Sequence, residues 1–472
     1  MSDIVDLLVN YLDGQETAKH IETCLTTLIQ KTLQDPHYRQ VIQQGSRKEF
    51  WICFSPVIKK MTEKDCLVNL IKFARNIVAG DLNNQQLALQ YGALKSIQNR
   101  LEIEAYDQTM DNSLLLQVST QAICNMITNH SMAIDVVWQE WMLNGSIWSD
   151  ILSKNNDNLI TSVLVLMINC IRGNKQRCDL MIENGNGRKI LGLIVDDLER
   201  LHSNEESKSF ELGYTIFNEM FLFGYFKQLY TLFKDNLSVL STRQTILFKL
   251  LDSKIHTYKD TLPTFINDRD LEFLCEQFEL IAKETVRVIL DVKESSSEDL
   301  QVEQVSNIYT AIILLFQILN QLLILEAKGL KQSLAHINVI SLTLDILGHL
   351  RTINLPPAQA DHPELGFNFL KRECVRMIGA MCHEDKKIQD EIRELGGIPL
   401  ILEQFKIDDS NPYLREYATL ALRNIMKDNI ENQEVIRELE PQEVLQTDEL
   451  DRMGITPELL KDGKIRIKKT EL

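Results

Sequence analysis

The chain has 472 residues, 44% of them hydrophobic and 25% charged, and carries a formal net charge of −17. This is ordinary globular material, long enough for two or three conventional domains or one extended solenoid. No run of Lys or Arg is long enough to track a phosphate backbone, which argues against nucleic acid as a main partner.

Nine cysteines are scattered without a C-x-x-C pair, as expected of reduced thiols in a reducing compartment. The first residues, Met1-Ser2-Asp3-Ile4-Val5-Asp6, carry acid where an export or transit signal needs base, so the expected location is cytoplasmic.

Helical periodicity begins at the N-terminus, and no run of alternating strand residues stands out. Residues 1–60 read as two or three capping helices, followed by an apolar helix from Leu67 to Asn76. Arg75-Asn76 reappears near the other end as Arg423-Asn424. A spacing supports a repeat: sixteen residues after Asn76 stands Gly92, sixteen after Asn169 stands Gly185, and sixteen after Ala380 stands Gly396. Asn125 marks another unit, with Trp141 in the glycine's place.

Beyond about 190 the repeat degrades. Glu199 to Phe210 reads as a polar loop, and Tyr214 to Phe233 as one aromatic-rich helix with Asn218 near a repeat position. Glu294-Ser295-Ser296-Ser297-Glu298-Asp299 is an acidic linker in which Ser295 and Ser296 each have an acid three residues on, the context that acid-directed kinases prefer. Gln304 to Leu325 is uncharged over 22 residues, long enough to span a bilayer, yet Asn307, Gln317 and Asn320 favour a buried helix of a soluble solenoid. The expected helices are Val305–Leu325 and Ser333–Leu350, then a proline-rich loop over 354–363.

From Leu370 to Leu439 the same unit occurs twice with a shift of 44: Leu370 falls on Leu414, Gln389 on Gln433, and Ile392-Arg393-Glu394-Leu395 on Ile436-Arg437-Glu438-Leu439. The stripe Leu370, Cys374, Met377, Ile378, Met381 corresponds to Leu414, Ala418, Ala421, Leu422, Ile425, one apolar face per copy. Gly396-Gly397 supplies a left-handed helix end, and Pro399 suits the next first turn. Units of this length that cannot bury their stripes alone are helical repeats of the armadillo or HEAT kind. The expected fold is therefore an all-α, right-handed armadillo-like solenoid. Its expected parts are N-terminal repeats over 1–293, the linker 294–303, C-terminal repeats over 304–440 and a tail over 441–472 that turns from acidic to basic.

The C-terminal residues resemble one family. Arg372-Glu373-Cys374, Ile378-Gly379, Gly397-Ile398-Pro399-Leu400, Asp408, Asn411-Pro412, Arg423-Asn424 and Glu431-Asn432-Gln433 are similar to the C-terminal domain of the ataxin-10 family, and Met453-Gly454-Ile455 through Asp462-Gly463-Lys464 resembles its tail. The resemblance is strongest over 365–440 and only architectural before 365. It implies a noncatalytic cytoplasmic binding protein involved in regulating cytokinesis, with protein partners such as cell-cycle kinases and with self-association left open. A different class, a chaperone or nucleotide-exchange factor for a GTPase, is the alternative.

Fungal members of that family are also labelled copper transport proteins. Cys374, Met377, Met381, Cys382 and His383 place soft ligands on one helix. Three of them occupy the stripe whose counterparts are Ala418, Ala421 and Ile425, so they read as core, and neither metal nor cofactor is expected. No G-x-x-x-x-G-K-S/T loop, H-E-x-x-H helix or G-x-S-x-G elbow occurs, and no enzyme is expected.

The candidate partner-binding residues are Asn76, Asn125, Asn169 and Asn424, with Arg75 and Arg423 beside the first and last. An asparagine on the third helix of each armadillo unit can hydrogen-bond the backbone of an extended peptide in the groove. It can equally bond a neighbouring helix end and set the stack. The tryptophan array of nuclear-import adaptors is missing, because Lys72, Gln121, Val165 and Leu420 stand four residues earlier.

Overall fold

Short helices that stop and restart at fixed points generate two ladders. The computed structural model describes residues 2–472 except 46, 107–110, 140–145, 155, 202–206, 236–237, 295–301, 352–367, 407–410, 412, 440–443, 445, 447–449, 451, 453, 461–464 and 470–472. The described residues form two compact units, 1–258 with 263–270, and 259–262 with 271–472.

The first unit begins with α1 (Ser2–Leu12), α2 (Ala18–Gln34), α3 (Pro36–Gln44) and α4 (Arg47–Lys60). Four triplets follow: α5 (Lys64–Val78), α6 (Leu82–Gln90), α7 (Ala93–Tyr106); α8 (Ser113–Ile127), α9 (Ser131–Val137), α10 (Ile147–Leu152); α11 (Asp157–Ile171), α12 (Lys175–Glu183), α13 (Gly185–Arg200); and α14 (Lys208–Leu222), α15 (Phe226–Leu232), α16 (Thr242–Ile255). Helices α2, α5, α8, α11 and α14 pack in series as one ladder, and α1, α4, α7, α10, α13 and α16 form the other. The short helices α3, α6, α9, α12 and α15 connect them. The central ladder helix α11 is apolar on most of its circumference, with Leu159, Val163, Leu166, Met167 and Cys170 all fully buried. Such a helix is stable only when covered on both sides, and stacking supplies that.

The second unit contains α17 (Asp268–Glu294), α18 (Val302–Ile324), α19 (Leu330–His336), α20 (Val339–Leu350), α21 (Asn368–Met381), α22 (Lys386–Glu394), α23 (Gly397–Leu402), α24 (Leu414–Met426) and α25 (Ile430–Glu438). Helices α18, α21 and α24 pack in series, with α20 and α23 behind them. Among the described residues, the stretch of α18 from Gln304 to Ile324 is long and apolar enough to cross a membrane, and 56% of its most apolar window is buried against the rest of the protein.

A two-residue device ends the ladder helices α5, α8, α11, α21 and α24. Four residues after Asn76, Asn125, Asn169, Ala380 and Asn424 stand Gly80, Asn129, Gly173, Glu384 and Asp428, all with φ between 51° and 72°. The next residue then caps the following helix: Asp81 accepts from the Asn84 N–H (2.9 Å), His130 from Ala133 (3.2 Å), Asn174 from Arg177 (3.0 Å), Asp385 from Ile388 (3.3 Å) and Asn429 from Asn432 (3.1 Å). A left-handed residue followed by an acceptor at the cap reverses the chain and satisfies one orphan N–H of the new helix. The sixteen-residue spacing survives only partly. Gly92 and Gly396 both have φ +72° ahead of α7 and α23, whereas Gly185 opens α13 and the cap is Asn184, which accepts from Asn186 and Gly187. Trp141 lies outside the described residues.

Several sequence expectations change. The N-terminal region holds four helices rather than two or three, because Asp35 caps a new helix with Pro36 in its first turn and Gly45 ends it. The aromatic helix of 214–233 is two, broken at Gly224 with φ +78°, and the helix expected over 333–350 is broken by left-handed Asn338. The expected loop at 199–210 is shorter, since α13 continues to Arg200 and α14 starts at Lys208. Helix α17, expected with the N-terminal repeats, belongs to the second unit, where Phe278 meets Phe316 of α18 edge-on at 4.8 Å. The tail contains an antiparallel hairpin of β1 (Ile455–Leu459) and β2 (Ile465–Lys469), joined across by Glu458–Lys468 at 2.7 Å. Its second strand alternates Ile465 and Ile467 with Arg466 and Lys468, a period of two hidden by the charge. Ser295, Ser296 and the proline-rich loop lie outside the described residues.

Candidate interaction surface

Each candidate asparagine sits two residues before the end of a ladder helix, and each spends its amide N–H inside the stack. Asn76 donates to Thr32 Oγ1 (3.4 Å), Asn125 to the Arg75 carbonyl (3.1 Å), Asn169 to Thr128 Oγ1 (3.2 Å) and Cys124 Sγ (3.1 Å), and Asn424 to the Gly379 carbonyl (3.0 Å). Every partner lies on the preceding ladder helix or just past its end. Asn76, Asn125 and Asn169 share the first unit's ladder; Asn424 belongs to the second unit. Arg75 is half-buried, which pushes its guanidinium pKa down, and it donates to Asn76 Oδ1 and to Gln121 of the next ladder helix. Arg423 is exposed and has no carboxylate partner among the described residues.

In the second unit, α18, α21 and α24 leave a cleft of about 720 Å³. Lys331, Arg376, Arg423 and Lys427 line it with His383, against one lining carboxylate, Glu326. Arg376 stacks over Tyr417 at 5.3 Å and donates to Glu373 at 2.8 Å. Lys427 meets Glu384 at 2.9 Å at the exposed edge, and Lys331 meets Asp385 at 3.5 Å with both side chains half-buried. Ile324 and Leu420, 59% and 48% exposed, supply apolar surface to the same cleft. Lys331, Arg376, Tyr417 and Lys427 were not singled out in the sequence. They come from helices more than forty residues apart, and nothing in the repeat alignment marks them, since Arg376 falls on Leu420 and Lys427 on His383 under the shift of 44.

The soft-ligand cluster separates: Cys374, Met377, Met381 and Cys382 are fully buried, whereas His383 is exposed on the cleft. Burial drives the Cys374 thiol well above its ordinary pKa, and Cys382 is pushed up to about 12. Leu422 does not belong to the buried stripe; it is half-exposed, and Leu414, Ala418, Ala421 and Ile425 carry the contact. The helix turns 100° per residue, so Leu422 lies at the edge of the face that Ala421 and Ile425 define.

Other motif residues brace the C-terminal repeats from within. Glu373 is fully buried between Arg372 (2.9 Å) and Arg376. Asn432 donates to the Gln389 and Ile425 carbonyls (3.0 and 2.9 Å), and Gln433 to Met426 (2.8 Å).

Comparison with known proteins agrees with the position of these residues. The spinocerebellar ataxia type 10 protein domain matches residues 370–468. The chain is 40% identical over 98 residues to the ataxin-10 homolog of Dictyostelium discoideum, covering 21% of this chain and 16% of that one. It is 39% identical over 103 residues to ataxin-10 of Homo sapiens (22% of each chain), and 36% over 101 residues to the ataxin-10 homolog of Saccharomyces cerevisiae (21% and 18%). The match thus spans about a fifth of the length of these relatives. Among solved structures, a designed armadillo repeat protein covers 79% of this chain and 99% of its own at 10% identity and a TM-score of 0.23. A structure from work on the phosphorylation switch between cadherin and beta-catenin covers 90% and 76% at 12% identity and a TM-score of 0.37. The described residues stack as helical triplets of the armadillo-like kind, and residues 370–468 are similar to the ataxin-10-type domain.

Proposed function

We propose that this protein is a noncatalytic interaction scaffold that presents the ladder helices of its repeats to protein partners and acts in the regulation of cytokinesis. The observation that carries the reading is the stack itself: the apolar side chains are spent on neighbouring helices, while the outward turns of α18, α21 and α24 carry cations, amides and aromatic rings around an open cleft. Such a surface binds by many weak polar contacts over a rigid frame. The ataxin-10-type domain supports the cytokinesis role, and nine free cysteines, eight of them buried, support a reducing, cytoplasmic setting.

The test is affinity purification of the full chain from dividing cells, followed by mass spectrometry. Retention of a cell-cycle kinase or a septum component supports the scaffold. Retention of a nucleotide-free GTPase moves the assignment to an exchange factor or chaperone. Capture of nothing above an untagged control removes the reading.

A further inference from the structure

We infer that the cleft of the second unit is a docking site for an acidic, extended segment of a protein partner, in which Asp or Glu side chains alternate with apolar ones. The inference rests on the scaffold reading and gives it a location and a chemistry.

Charge complementarity carries it. In a chain of net charge −17, four permanent cations converge on one cleft with a single lining carboxylate, Glu326, among the described residues. Arg423 is exposed and without an ionic partner among the described residues. Glu373, the buried partner of Arg376, is shared with Arg372, so two guanidinium groups face one carboxylate there. The pair Lys427–Glu384 is exposed, where ion pairs are weak and an incoming carboxylate can exchange for the resident one, while Lys331 is half-buried beside Asp385. An arginine held over an aromatic ring, as Arg376 is over Tyr417, keeps its planar fork available in a fixed orientation.

The second feature is apolar. Ile324 and Leu420 stay exposed beside these cations, and an extended peptide places alternate side chains on opposite sides with a period of two. Acidic residues at one parity meet Arg423 and Lys427, and apolar residues at the other meet Ile324 and Leu420. A volume of about 720 Å³ is that of a ligand cleft rather than a packing gap.

The experiment is a fluorescence anisotropy titration of the full chain against a labelled decapeptide of alternating Glu and Leu, with the Gln–Leu and Lys–Leu versions as comparisons. The Glu–Leu peptide should bind at least about tenfold more tightly than the Gln–Leu peptide, and its affinity should fall as salt is raised from about 0.05 to about 0.3 M. Arg423→Glu should weaken it by at least about tenfold, and Lys427→Glu, a second exposed variant, should do likewise. Lys48→Glu, an exposed reversal in the first unit, should change it less than about twofold. Equal affinity for Glu–Leu and Gln–Leu, preference for Lys–Leu, equal losses in R423E and K48E, or no saturable binding would each overturn the assignment. If R423E still captures the partners retained by the unaltered chain while the peptide fails, the scaffold reading stands and the cleft assignment alone is lost.

Discussion

Gln389 reaches out of its own repeat to donate its Nε2 to the backbone carbonyl of Asn424 at 2.9 Å, and Gln85 does the same to the carbonyl of Asn125 at 2.8 Å. Asn424 in turn donates back to Gly379. The last turn of a ladder helix is thus clamped from both sides, its free carbonyl satisfied and its asparagine amide spent. Gln389→Ala leaves buried acceptors unpaired and should cost about 1–3 kcal/mol. Because both bonds hold one turn, Gln389→Ala with Asn424→Ala should be non-additive by more than about 0.5 kcal/mol in urea unfolding. Strict additivity would show two independent contacts.

The same geometry sets the expectation for the asparagines of the first unit. Replacing Asn125 and Asn169 together by Ala removes bonds to Arg75, Thr128 and Cys124, each worth about 0.5–1.5 kcal/mol net, so the melting temperature should drop. Partner affinity of the folded fraction should change less than about threefold. A loss of about tenfold at unchanged melting temperature would instead place these amides in the binding surface.

Within α24 the buried stripe is narrower than its apolar content. Ile425→Asp puts a charge where the side chain is fully buried and should cost several kcal/mol, on the order of 3 or more. Leu422→Asp, at a half-exposed position, should cost clearly less. Melting curves of the two variants in parallel decide it, and equal losses would restore Leu422 to the core.

Two neighbouring glycines should respond oppositely to the same change. A Cβ on Gly187 would lie 2.4 Å from the Met181 carbonyl oxygen, a backbone atom that cannot step aside, whereas a Cβ on Gly185 meets nothing within 4 Å. Gly187→Ala should destabilise by about 1–3 kcal/mol or more. Gly185→Ala, at the first position of α13, should be neutral or mildly stabilising through the unfolded chain. Denaturant midpoints give both.

Alkali should unfold the protein through its thiols. Burial pushes Cys66, Cys124, Cys170, Cys178, Cys275 and Cys382 up to about 12 from 9.0. The folded protein keeps protons that the unfolded chain releases, so stability is unaffected below pH 9 and falls between about 9 and about 12. Each thiol contributes a slope of about 1.4 kcal/mol per pH unit there. Urea midpoints at about pH 8 and about pH 10.5 should show the loss, and Cys124→Ala with Cys170→Ala should make it shallower. A flat profile would mean that the thiols titrate normally. Under native conditions Cys24, half-exposed, should react first with a thiol reagent.

Local chemistry was enough to read the all-α class, the 44-residue repeat and the buried role of Cys374, Met377 and Met381, since helix period and tandem identity are properties of the chain alone. The left-handed residue and cap in Gly80-Asp81, Gly173-Asn174 and Asp428-Asn429 rest on turn and cap preferences that act over a few residues, yet the hydrophobic period used to find the repeat does not register them. Three things depended on the tertiary structure. Where the asparagine amides point is set by the neighbouring repeat, since one side chain has both groove and stack within reach and only packing chooses. Whether Leu422 is covered depends on the width of the face presented by α21. The cleft is the clearest case: Lys331, Arg376, Arg423 and Lys427 are ordinary surface cations along the chain, and only the packing of α19, α21 and α24 gathers them around one opening, where their fields add.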